Sequence, residues 1–94
     1  MKYKKIYEVK KPGLRPVSVW VKNDPSRLFD EVIIGQNIKE DNVKYKRFDY
    51  SVEFCQSEKE LRQALKKFDI FNNVMKSKSA SQQLAENVSF FWKK

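Results

Sequence analysis

The chain has 94 residues, 40% of them hydrophobic, which is enough for one small folded domain spanning residues 1–94. Twenty lysine and arginine residues against twelve acidic ones give a formal charge of +8, which favours association with polyanions. The lack of histidine and the single cysteine, Cys55, exclude Ser–His or Cys–His catalysis, His-ligated zinc and an intramolecular disulfide.

Sequence features of membrane proteins and of several enzyme classes are missing. No run of about eighteen apolar residues occurs, and the basic N-terminal segment lacks the apolar core of a secretory signal. Neither glycine belongs to a phosphate-binding loop, and most acidic residues stand in predicted caps and turns, which disfavours a magnesium-dependent nuclease. We expect a protein of the cytoplasm, either of its own cell or of a host cell. We also expect that it is not an enzyme, needs no cofactor or metal and contacts no membrane.

The first predicted element is a β-hairpin. Residues 2–10 and 15–22 flank the turn dipeptide Pro12-Gly13. Valine occupies alternate positions of the later segment, which is typical of a strand with one buried side.

Two interpretations fit the next segment. Asp24-Pro25 is typical of a helix N-cap followed by proline at the first helical position. A short helix can then continue through Ile33 and end near Gly35. Alternatively, residues 31–38 form a strand that turns at 39–42 into a further strand over residues 43–55. We favour one helical turn over residues 25–30, followed by that second hairpin.

The stretch VKYKRFDYSVEF, residues 43–54, resembles part of the base-stacking strand of an RNA-recognition motif domain, because Lys46, Phe48 and Tyr50 match three of its positions. The motif's glycines are missing. The intervening residues, Asp49, Ser51 and Glu53, are polar and cannot form a core. Since side chains alternate along a strand, we predict that the buried side consists of Phe48, Tyr50, Val52 and Phe54. This phase argues against base stacking there, and Cys55 is expected to be a buried small hydrophobe.

Helices are predicted for the second half. Ser57 and Glu60 form a capping box, and an apolar stripe at helical spacing follows it at Leu61, Ala64, Leu65, Phe68, Phe71 and Met75. After a polar connector over residues 76–81, Ser79 with Gln82 repeats the capping pattern and begins a second helix. Residues 87–92 can instead form a closing strand. The predicted fold is α+β, an antiparallel sheet of three to four strands packed on one face by two C-terminal helices.

Candidate binding residues follow from the charge distribution, since residues 1–22 carry seven cations and one acid. The densest cluster that can contact phosphates is Lys4, Lys5, Lys10, Lys11 and Arg15. A second set lies along one side of the first predicted helix: Lys59, Arg62 and Lys66. There the alternative is a solvated helix surface with a local Glu58–Arg62 pair. Tyr45 beside Arg47 can stack a base or a partner's side chain, unless Tyr45 packs under a helix.

The leading functional expectation is non-enzymatic binding of DNA or RNA, mainly through the phosphate backbone. The alternative is an inhibitor or regulator of the kind that phages or mobile elements encode, which binds a host protein or a protein–nucleic-acid complex. Its contacts would come from an acidic belt and an aromatic tail, comprising Asp30, Glu31, Glu40, Asp41, Phe90 and Trp92.

Overall fold

A four-stranded antiparallel sheet organises the protein, in a computed structural model that describes residues 3–22 and 31–88. The strands pair in chain order and are β1 (Tyr3–Val9), β2 (Val17–Lys22), β3 (Val32–Gln36) and β4 (Val52–Cys55). The helices of the described ranges are α1 (Glu40–Tyr45), α2 (Glu58–Lys67), α3 (Phe71–Lys76) and α4 (Lys78–Asn87). The predicted α+β class, with an antiparallel sheet and C-terminal helices on one face, is confirmed.

The β1–β2 hairpin forms as predicted. Its turn places Gly13 at φ 75°, a backbone conformation that glycine adopts without strain, and the Leu14 amide closes it by donating to the Lys11 carbonyl at 3.1 Å. The pairing of β1 with β2 shifts register between residues 5 and 7. This irregularity allows both Ile6 and Tyr7 to pack against the same core.

The main core lies between the sheet and helices α2–α4. The face of the sheet that points to these helices, called here the helix face, consists of Val17, Val19, Val21, Val32, Ile34 and Cys55. Leu61, Leu65, Val74 and Leu84 from the three helices pack against it and are almost completely buried. Truncating one such side chain to alanine typically costs about 2–5 kcal/mol, so this layer provides most of the stability.

The first C-terminal helix begins where the sequence predicts. Ser57 Oγ accepts from the Glu60 amide at 3.2 Å, and the Glu60 carboxylate accepts from the Gln56 amide at 3.0 Å. The apolar stripe does not continue as one helix, because Asp69 adopts the left-handed conformation at φ 56°. Aspartate tolerates this conformation better than most residues, and the resulting turn separates α2 from α3 while it buries Ile70.

The next helix begins two residues earlier than expected. Ser77, not Ser79, caps α4, because Ser77 Oγ accepts from the Ala80 amide at 3.2 Å. The predicted connector over residues 76–81 is therefore mostly the first turn of α4. The helix continues to Asn87 and is followed by the buried Val88, and residues 89–92 of the alternative closing strand lie outside the described residues.

The segment after β3 differs from its prediction. A strand at residues 31–38 is confirmed in β3, which pairs with β4, but residues 39–42 begin helix α1, and β4 includes only the last four residues of the predicted strand. Asn42 explains the helix: its side chain accepts from the Lys39 amide at 2.8 Å and donates to the Arg47 carbonyl at 2.7 Å. The predicted helical turn at 25–30 lies outside the described residues.

The predicted phase of the aromatic strand is wrong. Val52 and Phe54 point to the second face of the sheet, while Cys55 belongs to the helix face. Phe54 is 44% exposed, and Phe48 and Tyr50 are half-buried and precede the strand, so strand alternation does not apply to them. The second face carries a small cluster of its own, formed by Trp20, Ile33, Ile38 and Val43.

Residues 37–51, which include α1, supply Ile38 and Val43 to this cluster and thereby cover part of the second face. They reach it through a close approach at Gly35, where a Cβ atom would lie 2.6 Å from the Ser51 carbonyl oxygen and 2.8 Å from Val52 Cα. Only glycine fits this position without displacing backbone. The aromatic residues of the 43–54 stretch thus border a covered face instead of forming the base-stacking surface of an RNA-recognition motif.

Candidate nucleic-acid interface

The β1–β2 turn lies against the end of α2. Lys11 and Asp69, which are 58 residues apart in the chain, meet there: Lys11 Nζ lies 3.3 Å from Asp69 Oδ2 and donates to the Asp69 carbonyl at 3.2 Å. The Asp69 side chain is 95% exposed, so this ion pair adds little to stability. The Lys11–Asp69 contact instead fixes the position of the hairpin turn, because it joins this turn to the turn between α2 and α3.

Four cations from these two segments form the turn-end surface, defined as Lys11, Arg15, Lys66 and Lys67. Two adjoining grooves run through it. The turn groove, about 240 Å³, is lined by Val9, Lys11, Leu14, Arg15, Val17, Gln36, Lys67, Phe68 and Asp69. The helix groove, about 490 Å³, is lined by Lys11, Lys66, Asp69, Phe71, Asn72 and Asn73. Among the residues that line them, Asp69 is the one acid.

Aromatic rings hold several of these cations in place. The Arg15 guanidinium carbon lies 4.7 Å from the centroid of the Tyr50 ring. Lys66 Nζ lies 5.4 Å from the Phe71 ring. Such contacts contribute about 0.5–1 kcal/mol each at exposed sites. They restrict long side chains that would otherwise lose rotamer freedom on binding a ligand.

The predicted row of cations on α2 is only partly brought to this surface. Lys66 lines the helix groove, whereas Arg62 binds Glu58 at 3.1 Å, as the alternative interpretation expected. Lys59 lies two turns before Lys66 and is exposed. Lys67, which the sequence analysis did not select, lines the turn groove and lies 3.3 Å from Glu53 Oε1. Its position beside Phe68, at the end of an amphipathic helix, is the signal that could have identified it.

The predicted N-terminal cluster divides into two parts. Lys11 and Arg15 belong to the turn-end surface, whereas Lys10 is exposed and lines neither groove. Lys4 and Lys5 lie near the opposite end of β1. They point to different faces of the sheet, since Lys4 pairs with Val21 and Lys5 pairs with Trp20. Lys5 also lies 3.7 Å from the Glu8 carboxylate. The structure therefore does not bring these two lysines to the turn-end surface.

Tyr45 and Arg47 lie at the end of α1. Tyr45 is 60% exposed, with Lys44 Nζ 5.3 Å from its ring centroid, so it does not pack under a helix. Arg47 is exposed and donates its backbone amide to the Asn42 carbonyl at 3.0 Å. Neither residue lines the turn groove or the helix groove.

A polar network that the sequence did not reveal lies at the other end of the sheet. The Tyr3 hydroxyl donates to Glu31 Oε1, and Lys46 Nζ donates to the Tyr3 hydroxyl at 2.8 Å and lies 3.6 Å from Glu31. Glu31 is 9% exposed and is therefore not an exposed contact residue. The adjoining groove, of about 530 Å³, is lined by residues of both charges, which suits a polyanion poorly.

The other residues proposed for protein binding are only partly described. Glu40 and Asp41 are exposed in the first turn of α1, on the border of this mixed-charge groove. Asp30, Phe90 and Trp92 lie outside the described residues. The acidic belt is thus reduced, among the residues that can be placed, to two neighbouring carboxylates.

Cys55 is buried, as expected for a small hydrophobe. Burial raises the pKa of its thiol to about 12, and the nearby carboxylates of Glu60, Glu53 and Glu31 add to the increase. The thiol is therefore protonated near neutral pH, and it donates to the Glu60 carbonyl at 3.5 Å. In residues 3–22 and 31–88, no group of three potential ligands from cysteine, aspartate and glutamate is arranged to hold a metal ion.

None of the helices in the described ranges has the length and apolar character needed to cross a bilayer. Comparison of the chain with models of protein families, with curated proteins and with solved structures finds no match. The function must therefore be argued from the chemistry of the site itself.

Proposed function

We propose that this protein is a non-enzymatic nucleic-acid-binding domain that contacts the phosphate backbone through its turn-end surface. The observation that supports it is the convergence of lysine and arginine side chains from the hairpin turn and from the end of α2. They surround two adjoining grooves lined by a single acid, Asp69. The excess of positive charge at this surface suits a polyanion.

The type of cation at this surface favours contacts with phosphates over reading of bases. Three of its four cations are lysines, whose flexible stems bring compact charges to phosphate oxygens. Arg15 alone supplies the planar fork that base-specific contacts require. Binding to many DNA or RNA sequences with similar affinity is the expected consequence. A cytoplasmic location, where nucleic acid is directly accessible, is part of this proposal.

The test compares two triple variants with equal reduction of charge. The first changes Lys11, Lys66 and Lys67, which line the two grooves, to glutamine. The control changes Lys39, Lys44 and Lys78, which are exposed and line neither groove. Both variants should keep the thermal stability of the wild-type chain, because exposed charges contribute little to it.

Affinity for a labelled oligonucleotide is measured by fluorescence anisotropy over a series of salt concentrations. For the first variant, the slope of log affinity against log salt should fall by about 0.7–0.9 for each phosphate that the protein no longer neutralises. The control variant should keep a slope near that of the wild type. Equal reductions in both variants would mean that net charge, not this surface, drives association.

Absence of binding at low salt would reject nucleic acid as the ligand. In that case, a host protein retained on the immobilised chain after nuclease digestion would favour the protein-binding alternative.

A further inference from the structure

We propose that the turn groove receives an unpaired base, so that the protein binds single-stranded nucleic acid in preference to duplex. This inference rests on the proposed function and specifies its substrate class. It concerns the turn groove, where three apolar side chains form a floor beside cations. The helix groove, whose one apolar lining residue is Phe71, would supply phosphate contacts.

The floor of the turn groove is apolar and small. Val9, Val17 and Phe68 line it, and Leu14, at 62% exposure, stands on its rim. Val17 is buried and Val9 and Phe68 are half-buried, so the apolar surface open to a ligand comes mainly from Leu14 and the accessible parts of Val9 and Phe68. Such surface gains free energy when a flat apolar face displaces water from it. Its volume of about 240 Å³ is below the range of about 300–1,000 Å³ typical of pockets for drug-sized ligands. One ring system suits this space better than a folded element does.

The rim of the groove offers both a stacking plane and charges. Arg15 is exposed, and its guanidinium is held over the Tyr50 ring at 4.7 Å. Guanidinium planes and aromatic rings are the usual stacking partners of unpaired bases. Lys11 and Lys67 also line the groove, where they can contact the phosphates that flank the inserted nucleotide. This combination favours a heteroaromatic polyanion over a neutral apolar peptide.

Gln36 adds an uncommitted polar group. Its backbone is fixed by the hydrogen bond from its amide to the Ser51 carbonyl at 2.9 Å. Its side chain is directed to the groove and has no hydrogen-bond partner within residues 3–22 and 31–88. Because an amide both donates and accepts, it can pair with an edge of any base, which agrees with binding that is independent of sequence.

A duplex cannot use these features. Its phosphates reach the cations, but its bases are stacked and paired, so no base face is available for the apolar floor. The distinction between the two substrates therefore depends on the bases and not on the charge.

The experiment compares three fluorescent probes at one salt concentration: a 20-nucleotide single strand, the same strand in a duplex, and an abasic single strand of equal length. The abasic strand keeps the phosphates and lacks the bases. We expect the single strand to bind about tenfold more tightly than the other two probes, in line with the free energy of stacking one base. Similar affinity for the normal and the abasic strands would overturn the inference and leave the proposed function intact.

Substitutions test whether the preference for the normal strand arises in the turn groove. Arg15→Lys keeps the charge and removes the stacking plane, so it should weaken binding of the normal strand about fivefold more than it weakens binding of the abasic strand or the duplex. The matched control is Arg47→Lys, an exposed arginine outside the groove, which should change none of the three affinities. Equal weakening for all three probes with Arg15→Lys would overturn the inference.

Two further outcomes are distinct. If no probe binds even at low salt, the proposed function fails together with this inference. If an acidic aromatic peptide competes for the groove while the normal and abasic strands bind alike, the occupant is a peptide and the inference is wrong.

Discussion

The two faces of the sheet are covered in different ways. On the helix face, Val19, Val21 and Ile34 are completely buried beneath three helices. On the second face, residues 37–51 provide one six-residue helix and leave Phe54 44% exposed. The difference teaches that alternation in a strand identifies which residues share a face, whereas the depth of burial depends on what covers that face.

The largest expected effect tests this comparison with two neighbouring residues. Ile34 and Ile33 are both completely buried, but on opposite faces of β3. Ile34→Ala should cost about 4 kcal/mol, and Ile33→Ala about 2 kcal/mol, because the shorter cover of the second face can relax around the cavity. Urea unfolding of both variants measures the difference. Equal costs, or a larger cost for Ile33→Ala, would show that both covers are equally rigid.

An intermediate effect is expected at Gly35, where the cover of the second face approaches most closely. Gly35→Ala places a methyl group 2.6 Å from the Ser51 carbonyl oxygen and should destabilise the protein by about 1–3 kcal/mol through overpacking. The matched control is Gly13→Ala, which meets nothing within 4 Å and is strained only through its positive φ. The midpoint of thermal unfolding should therefore be lower for Gly35→Ala than for Gly13→Ala. The reverse order would show that β4 can move away at this point.

The smallest effect concerns the helix face and is a change in the pH dependence of stability, which sets in only above about pH 9. The pKa of the Cys55 thiol is raised from 9.0 to about 12 in the folded protein. A raised pKa means that the folded state favours the protonated thiol. Its contribution to stability is therefore complete below pH 9 and disappears as the pH rises toward 12. Cys55→Ala should weaken the decline in the free energy of unfolding over this range.

A thiol reagent provides the independent measurement for this residue. At a pH of about 8 it should react with native Cys55 much more slowly than with the unfolded chain, because the thiol is buried and protonated. Rapid reaction of the native protein would mean that α2 opens readily from the sheet.

Local patterns were sufficient for the elements that periodicity defines. The β1–β2 hairpin, the Ser57 cap and the apolar stripe of α2 all depend on short-range spacing, and each is confirmed. Two other features depend on single residues and cannot be predicted from the hydrophobic periodicity. One is the left-handed backbone at Asp69, and the other is the side chain of Asn42, which links the two ends of α1.

The candidate site was predictable only in its components. Lys11 and Arg15 were selected from charge density, and Lys66 from its position on the helix. That they share one surface depends on how α2 packs against the sheet, which the sequence does not encode locally. The same reason explains why Gln36 and Lys67 were missed, since neither is unusual until the hairpin turn lies beside it.

The strand order of the sheet has a consequence for folding kinetics. Each strand pairs with its neighbour in the chain, so the sheet requires no crossover connection and can assemble progressively. Helix α4 is different, because this helix, the last one in the described ranges, packs against β1 and β2, the first two strands described. Closing that long loop carries the largest entropic cost, which is offset only when nearly the whole chain is present. The step that completes the core is therefore the one that joins α4 to the first two strands.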